Sequence, residues 1–182
     1  MTSSLSTTSY ALLSLLVFGG ESSDVGLTGY EIKQRADRTL RFYWVSPAMS
    51  QIYTELDRLS RNGYVDGVDD TTGKRTTRRF RITAEGRESL EAWLHTSEHE
   101  FPILKHPIAL RLMLGSLMGP GEVVSMLDVY VDAVAERRKE LEAVREMLGD
   151  DEALAYPARV ADWGLAYYDA EVEIVEKLRR TL

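Results

Sequence analysis

Residues 46–65, SPAMSQIYTELDRLSRNGYV, decide the fold of this 182-residue chain. Ser46 suits a helix N-cap, and Pro47 suits the first helical position, where its missing N–H costs nothing. Met49, Ile52, Leu56 and Leu59 then recur at helical spacing and share one face. The opposite face carries Ser50, Gln51, Tyr53, Thr54, Arg58 and Arg61. Asn62-Gly63 ends the helix, because both residues accept the left-handed conformation that a helix stop uses. The spacing therefore predicts a helix from Pro47 to Asn62 with one buried and one hydrogen-bonding face.

The flanking segments give this helix its setting. Downstream, Tyr64–Val68 contains strand formers, Asp69–Gly73 is turn chemistry, and Thr76–Thr83 alternates as a second strand, so a two-stranded hairpin is expected. Thr83 then caps a helix from Ala84 to about His95. Upstream, Tyr10–Phe18 reads as an apolar helix stopped by Gly19-Gly20. Thr28 with Glu31 forms a capping box that opens another helix, ending near Leu40. There Tyr30, Ile32 and Ala36 are expected inside, with Lys33, Arg35 and Arg38 outside. An aromatic connector, Arg41–Val45, follows. Three helices, a hairpin and a helix make a winged helix-turn-helix over residues 1–95, whose third helix is built to enter a major groove.

Charge divides the chain in two. The net charge is −7, yet residues 1–95 hold 12 basic and 12 acidic residues, and residues 96–182 hold 10 and 17. Between Thr71 and Arg81 lie Lys74, Arg75, Arg78, Arg79 and Arg81 with no acid, a candidate polyanion-binding strip. The chain has no cysteine, which excludes disulfides, cysteine-ligated zinc and a thiol nucleophile. That usage fits a cytoplasmic protein. No apolar run reaches the length of a membrane span, and the N-terminal apolar run lacks the basic residues that precede a signal peptide core. His95 and His99 stand four apart beside Glu98 and Glu100, but no further ligand is apparent and no metal site is expected. No cofactor motif or catalytic set is present: the glycines around Lys74 fail the phosphate-loop spacing, and Gly115-Ser116 does not fit a nucleophile elbow.

Residues 96–182 read as a helical domain. Phe101–Leu117 is expected as one apolar helix, broken by Gly119-Pro120-Gly121. Glu122–Leu148 follows with an apolar series Val123, Leu127, Tyr130, Val134, Leu141, Val144 and Leu148, interrupted at Arg137 and Arg138. Tyr156–Leu182 repeats the rhythm at Val160, Trp163, Tyr167, Ala170, Ile174 and Leu178. Two such stripes joined by a turn predict an antiparallel helical hairpin that buries against itself or a second copy.

The segments YALLSLLVFG, LTGYEIKQRAD, WVSPAMSQIYTELDRLSRNGYV and GKRTTRRFRITAEGRESLEAWL together resemble the PadR family of bacterial transcriptional regulators. Gln51-Ile52-Tyr53, Leu56, Leu59 and Gly63 carry most of the likeness, with Ile82-Thr83-Ala84-Glu85-Gly86. Phe80 departs from it, since many relatives carry Tyr there. The acidic second half is similar to the larger C-terminal domain of one branch. The resemblance implies a homodimer docked through C-terminal helices, a pseudo-palindromic double-stranded operator, repression, and release by a small-molecule effector, phenolic acids among them.

Under that reading Gln51 pairs with adenine through both its amide atoms, and Ser50 or Thr54 donates to a base or phosphate. Tyr53 reaches a phosphate or sugar. Lys74, Arg75 and Arg78 meet the backbone from the hairpin, and Thr28 and Lys33 lie at a helix start suited to a phosphate. The competing reading of each is a solvated surface residue, or plain capping at Thr28 and Lys33. Trp44, Trp93, His106, Tyr167 and Tyr168 are candidates for an effector pocket between the two domains; ordinary core and interface packing also explains them. Two other functions compete: a winged helix that binds protein instead of DNA, against which the basic hairpin speaks, and a ligand-binding helical protein.

Overall fold

The computed structural model describes residues 5–17, 25–72, 75–95, 105–119 and 121–182, and for 70–72, 75 and 76 the backbone only. The chain divides into two units, Met1–Glu100 and Phe101–Leu182.

In the first unit, α1 (Thr7–Val17) is apolar on nearly every side and forms the centre of the core, with Leu12 and Leu13 wholly buried. A two-residue strand, β1 (Leu27–Thr28), leads directly into α2 (Gly29–Arg38). Thr28 closes the expected capping box: its Oγ1 accepts from the Glu31 N–H, and its own N–H donates to Glu31 Oε2. A short 3-10 turn, Leu40–Phe42, connects to α3 (Met49–Arg61), which buries Ile52, Leu56 and Leu59 against α1 and α2. β2 (Val65–Thr72) and β3 (Arg75–Ile82) follow, then α4 (Ala84–Leu94), capped by Thr83. The core runs continuously through Leu16, Ile32, Ala36, Ile52, Leu56, Val65, Phe80 and Leu90.

Several sequence expectations change here. Helix α3 starts at Met49 with Ala48 as N-cap, two residues later than Pro47, because Ser46 is held elsewhere and Pro47 is buried. The sheet has three strands in the order β1-β3-β2, with Leu27 opposite Phe80. The hairpin is longer than its composition suggests, since Asp69–Thr72 continue β2 in register with Arg75–Arg78. Tyr30, expected inside, is exposed, and Arg35, expected outside, donates to the Leu15 carbonyl at 3.0 Å.

The second unit begins with α5 (Pro107–Met113), a shorter helix than expected, followed by a 3-10 turn over Gly115–Leu117; residues 101–104 of the expected helix lie outside the described residues. Then α6 (Glu122–Leu148) and α7 (Ala155–Arg179) form the antiparallel hairpin. The α6 face is the expected one, with Leu127, Val134 and Leu141 buried seven residues apart. The α7 face is not. Ala158, Ala161, Gly164, Glu171 and Val175 are buried, while Trp163, Tyr167, Ile174 and Leu178 are exposed. Small residues let the helices approach closely: a side chain on Gly164 would stand 2.5 Å from Leu141 Cδ2. Three ion pairs cross the hairpin, Arg138–Asp169 at 2.7 Å, Arg145–Asp162 at 2.8 Å and Arg179–Asp128 at 2.9 Å. Exposed pairs of this kind add little stability each, but together they fix the antiparallel register. The apolar break at Arg137-Arg138 is thus occupied by a bridging residue. No described helix is long and apolar enough to cross a membrane.

Candidate nucleic-acid interface

The exposed side of α3 presents Ser50, Gln51, Tyr53 and Thr54 together, as helical spacing requires. Thr54 Oγ1 donates to the Ser50 carbonyl at 2.9 Å, which leaves its lone pairs and methyl outward. The Tyr53 ring lies across Gly29 at the start of α2, where a Cβ would meet Cζ at 2.6 Å and the hydroxyl at 2.8 Å. Glycine at position 29 therefore makes the seat for Tyr53. This places a phenolic hydroxyl beside a helix N-terminus, a position that favours anions. Thr28 lies at the same end; its side-chain oxygen serves the cap, and its hydroxyl proton is not used by that bond.

Lys33 stands differently from its expected role. Its Nζ bonds Asp37 Oδ1 at 2.5 Å and Ser46 Oγ at 2.9 Å, and Ser46 donates to Asp37 at 2.6 Å. The Lys33 and Ser46 hydrogen bonds hold the Asp37 carboxyl below its ordinary value. This three-residue clamp ties α2 to the lead-in of α3 and sets the angle of the turn between them. It explains why Ser46 does not cap α3.

A second clamp joins α3 to α1. Ser9 is fully buried, and its hydroxyl donates to Glu55 Oε1; Arg58 Nη2 donates to Glu55 Oε1 at 2.6 Å and to Ser9 Oγ at 2.5 Å. Burial opposes ionisation of Glu55, but the bonds from Arg58 and Ser9 outweigh it and keep its carboxyl below the ordinary range. Arg58, expected on the reading face, serves this clamp.

The hairpin reaches α3 through Arg78. Its Nη1 lies 3.8 Å from Asp57 Oδ1, and its guanidinium covers Gly67, where any side chain would collide with it. Arg79 turns the other way, donating to the Gly26 carbonyl at 2.9 Å and to the Glu31 carboxylate at 3.2 Å. The basic strip is less concentrated than the one-dimensional sequence suggests. Asp66 faces Arg81 and Asp69 faces Arg78 across the ladder. Five bases less Asp66, Asp69 and Asp70 leave residues 65–82 a net charge of +2. Lys74 lies outside the described residues, as does the side chain of Arg75. So do Glu98, His99 and Glu100, beside His95; no metal-ligating cluster occurs among the described residues.

The effector candidates fall in both units. Trp93 stacks on Tyr10 at 4.7 Å, and Trp44 sits half-exposed in the α2–α3 connection. In the second unit, His106 and Tyr167 meet at a residue the sequence reading passed over, Glu171. Tyr130 donates to Glu171 Oε2 at 2.9 Å, and His106 Nε2 lies 3.0 Å from the same oxygen. His106 Nδ1 accepts from the Ala109 N–H at 3.1 Å and caps α5, so the imidazole proton belongs on Nε2, facing Glu171. Tyr167 packs edge-on to Tyr168, with centroids 5.9 Å apart. Burial acts against the Glu171 carboxylate, yet hydrogen bonds from His106, Tyr130 and Tyr167 hold it below its ordinary value. Burial, together with that carboxylate, pushes the Tyr130 phenol well up. A charged residue inside the apolar rhythm of α7 was the only sequence signal for this cluster.

The cluster makes a pH prediction. Unfolded Glu171 titrates near 4.5 and folded Glu171 lower, so between the two values the unfolded chain binds the extra proton. Its contribution is full above that range and is lost as pH falls through the folded value. In urea titrations, the difference in midpoint between wild type and Glu171→Gln is expected to be constant near neutrality and to shrink as pH drops below about 4.5. A difference that grows on acidification would contradict the arrangement.

Residues 23–92 match the profile of the Transcriptional regulator PadR-like family. Over that stretch the chain is similar to the PadR-like family. Solved structures extend the likeness of fold to nearly the whole chain. Bacillus subtilis PadR in complex with operator DNA superposes with a TM-score of 0.81 at 21% identity, covering 97% of this chain and 99% of that one. The PadR-like transcriptional regulator BC1756 from Bacillus cereus gives 0.77 at 20% identity, over 100% and 98%. Bacillus subtilis PadR in complex with p-coumaric acid gives 0.69 at 20% identity, over 95% and 93%. Among curated proteins no sequence matches. The matched stretch includes both clamps' α2 and α3 members and the whole hairpin.

Proposed function

We propose that this protein is a dimeric, operator-binding transcriptional regulator of the cytoplasm, acting as a repressor that a small molecule releases. The observation that carries the proposal is the exposed polar face of α3, held at fixed angles by the Lys33–Asp37–Ser46 and Ser9–Glu55–Arg58 clamps and flanked by the Arg78-bearing hairpin. In a winged helix that face enters the major groove and the hairpin follows the backbone. Ser50, Gln51 and Thr54 address base edges; Tyr53, Thr28, Lys74, Arg75 and Arg78 address phosphates; Lys33 acts through its clamp. The operator DNA bound by the Bacillus subtilis protein of the same fold supports this reading.

Dimerisation follows from the second unit. Helix α7 leaves Trp163, Tyr167 and Ile174 uncovered, and a groove of about 1000 Å³ lies along α5 and α6, lined by Ile108, Leu114, Leu117, Met126 and Val129 among others. A second copy is the partner that covers both. The p-coumaric acid complex of the Bacillus subtilis protein supports an aromatic effector. Trp44, Trp93, His106, Tyr167 and Tyr168 remain the proposed contacts, with Tyr130 and Glu171 added.

The test is binding to the DNA upstream of the protein's own gene and its neighbours at two salt concentrations. Each neutralised phosphate adds about 0.9 to the log–log slope, so a dimer making six or more such contacts loses about 10³-fold in affinity between 50 and 200 mM salt. The Lys74→Ala/Arg75→Ala double variant is expected to lower the slope by about 2 per protomer and to weaken all sequences alike. Binding indifferent to salt would overturn the proposal.

A further inference from the structure

The start of α3 has an unusual chemical problem. Its N-cap is Ala48, which has no side-chain acceptor, and the usual capping residue nearby, Ser46, is committed to Lys33 and Asp37. The orphan N–H groups of a helix start need partners. Gln51 supplies one: its Oε1 accepts from the backbone N–H of Ala48 at 3.0 Å, half of a capping box. The orientation of this amide is settled by chemistry. A backbone N–H only donates, so the atom facing it is the carbonyl oxygen, and the NH₂ group points away.

This has a consequence for base reading, and it rests on the operator-binding function proposed above. A glutamine pairs with adenine by presenting its oxygen and nitrogen side by side to N6 and N7. With Oε1 turned back on the helix start, only the donor end of Gln51 projects from the exposed face. We infer that Gln51 reads a keto base, guanine or thymine, as a donor alone. Guanine presents two adjacent acceptors, N7 and O6, and thymine presents O4, whereas adenine sets its own N6 donor beside its one acceptor. The adenine contact expected from the residue type alone is thereby replaced. The helix cap at Ala48, three residues before Gln51, chooses which half of the amide reads.

The experiment is selection from a randomised duplex library with the full-length protein as wild type, Gln51→Ala and Gln51→Glu. The position read by Gln51 is the one whose preference falls in Gln51→Ala, by about tenfold in relative enrichment. In the wild type that position is expected to carry guanine or thymine. Gln51→Glu keeps an oxygen for the Ala48 N–H and keeps the fold, as an unchanged melting temperature will show, but it has no donor. Its preference is expected to move to an amino base, cytosine or adenine. Adenine at the affected position in the wild type, or no position affected in Gln51→Ala, overturns the inference alone. A library from which the wild type draws no motif overturns the operator reading, and this inference with it.

Discussion

Gly86→Ala is expected to destabilise the winged helix by about 3 kcal/mol, the upper part of the usual range for overpacking. Gly86 lies in the first turn of α4 and is buried. A Cβ there would overlap the carbonyl oxygen of Tyr64, and would stand 3.0 Å from its carbon and 2.9 Å from Ile82 Cγ1. Two of these are backbone atoms with no room to yield. The Tyr64 carbonyl accepts the Thr83 N–H at 3.1 Å, and Thr83 Oγ1 both donates to the Gly63 carbonyl at 2.7 Å and accepts from the Gly86 N–H at 3.0 Å. The base of the hairpin, the end of α3 and the start of α4 are thus one knot. For a unit of this size the loss corresponds to a fall in melting temperature of roughly 12–24 °C, read by circular dichroism. Gly63→Ala is the contrasting case. It meets nothing within 4 Å and suffers only from its positive φ of 79°, so about 1 kcal/mol is expected. Equal effects at the two positions would refute the close approach.

What the sequence made legible, and what it did not, follows from how far apart the causes lie. The α3 core face, Ile52, Leu56 and Leu59, and the caps at Thr28 and Thr83 rest on neighbours within four residues, and they stand as read. Ser46 was misassigned because its partners are Lys33 and Asp37, on the preceding helix. The two-residue strand β1 has no pattern of its own; it exists because Phe80 and Arg79 pair with it from far along the chain. Asp69–Thr72 carry turn-forming residues, yet the ladder to Arg75–Arg78 holds them extended. In α7 the large residues were expected to bury against α6 or a second copy; within the chain it is the small residues that pack on α6. Size marks hydrophobic gain per residue, but helix approach is set by what fits between backbones, and Leu141 needs the space at Gly164. The candidate site shows the same division. Gln51 and Tyr53 were legible as exposed residues, while their hydrogen bond to Ala48 and seat on Gly29 depend on geometry that no spacing encodes.

The uncovered residues of α7 carry the second large effect: Trp163→Asp is expected to turn the proposed dimer into a monomer. Trp163 is 75% exposed in the single chain, and Tyr156 equally so, on a helix whose other face already packs on α6. An aromatic side chain buries about 150–250 Å², and at about 25 cal/mol per Å² its loss removes on the order of 4–6 kcal/mol. In a two-fold dimer each substitution counts in both protomers, and the new carboxylate loses hydration on association. A change of about 4 kcal/mol already weakens association on the order of 10³-fold, enough to move a nanomolar dimer to micromolar. Sedimentation velocity at micromolar protein should show the monomer, with the folded signal of each unit retained because Trp163 is exposed within the chain. The operator assay should respond more steeply than to any single base contact. Two reading helices engage half-sites about 34 Å apart only when the second unit holds them together, and a lone winged helix keeps the phosphate contacts of one half-site. The salt slope should therefore fall by about half. A variant that remains dimeric would move the interface off this face, and a monomer that keeps full operator affinity would remove the need for two coupled heads.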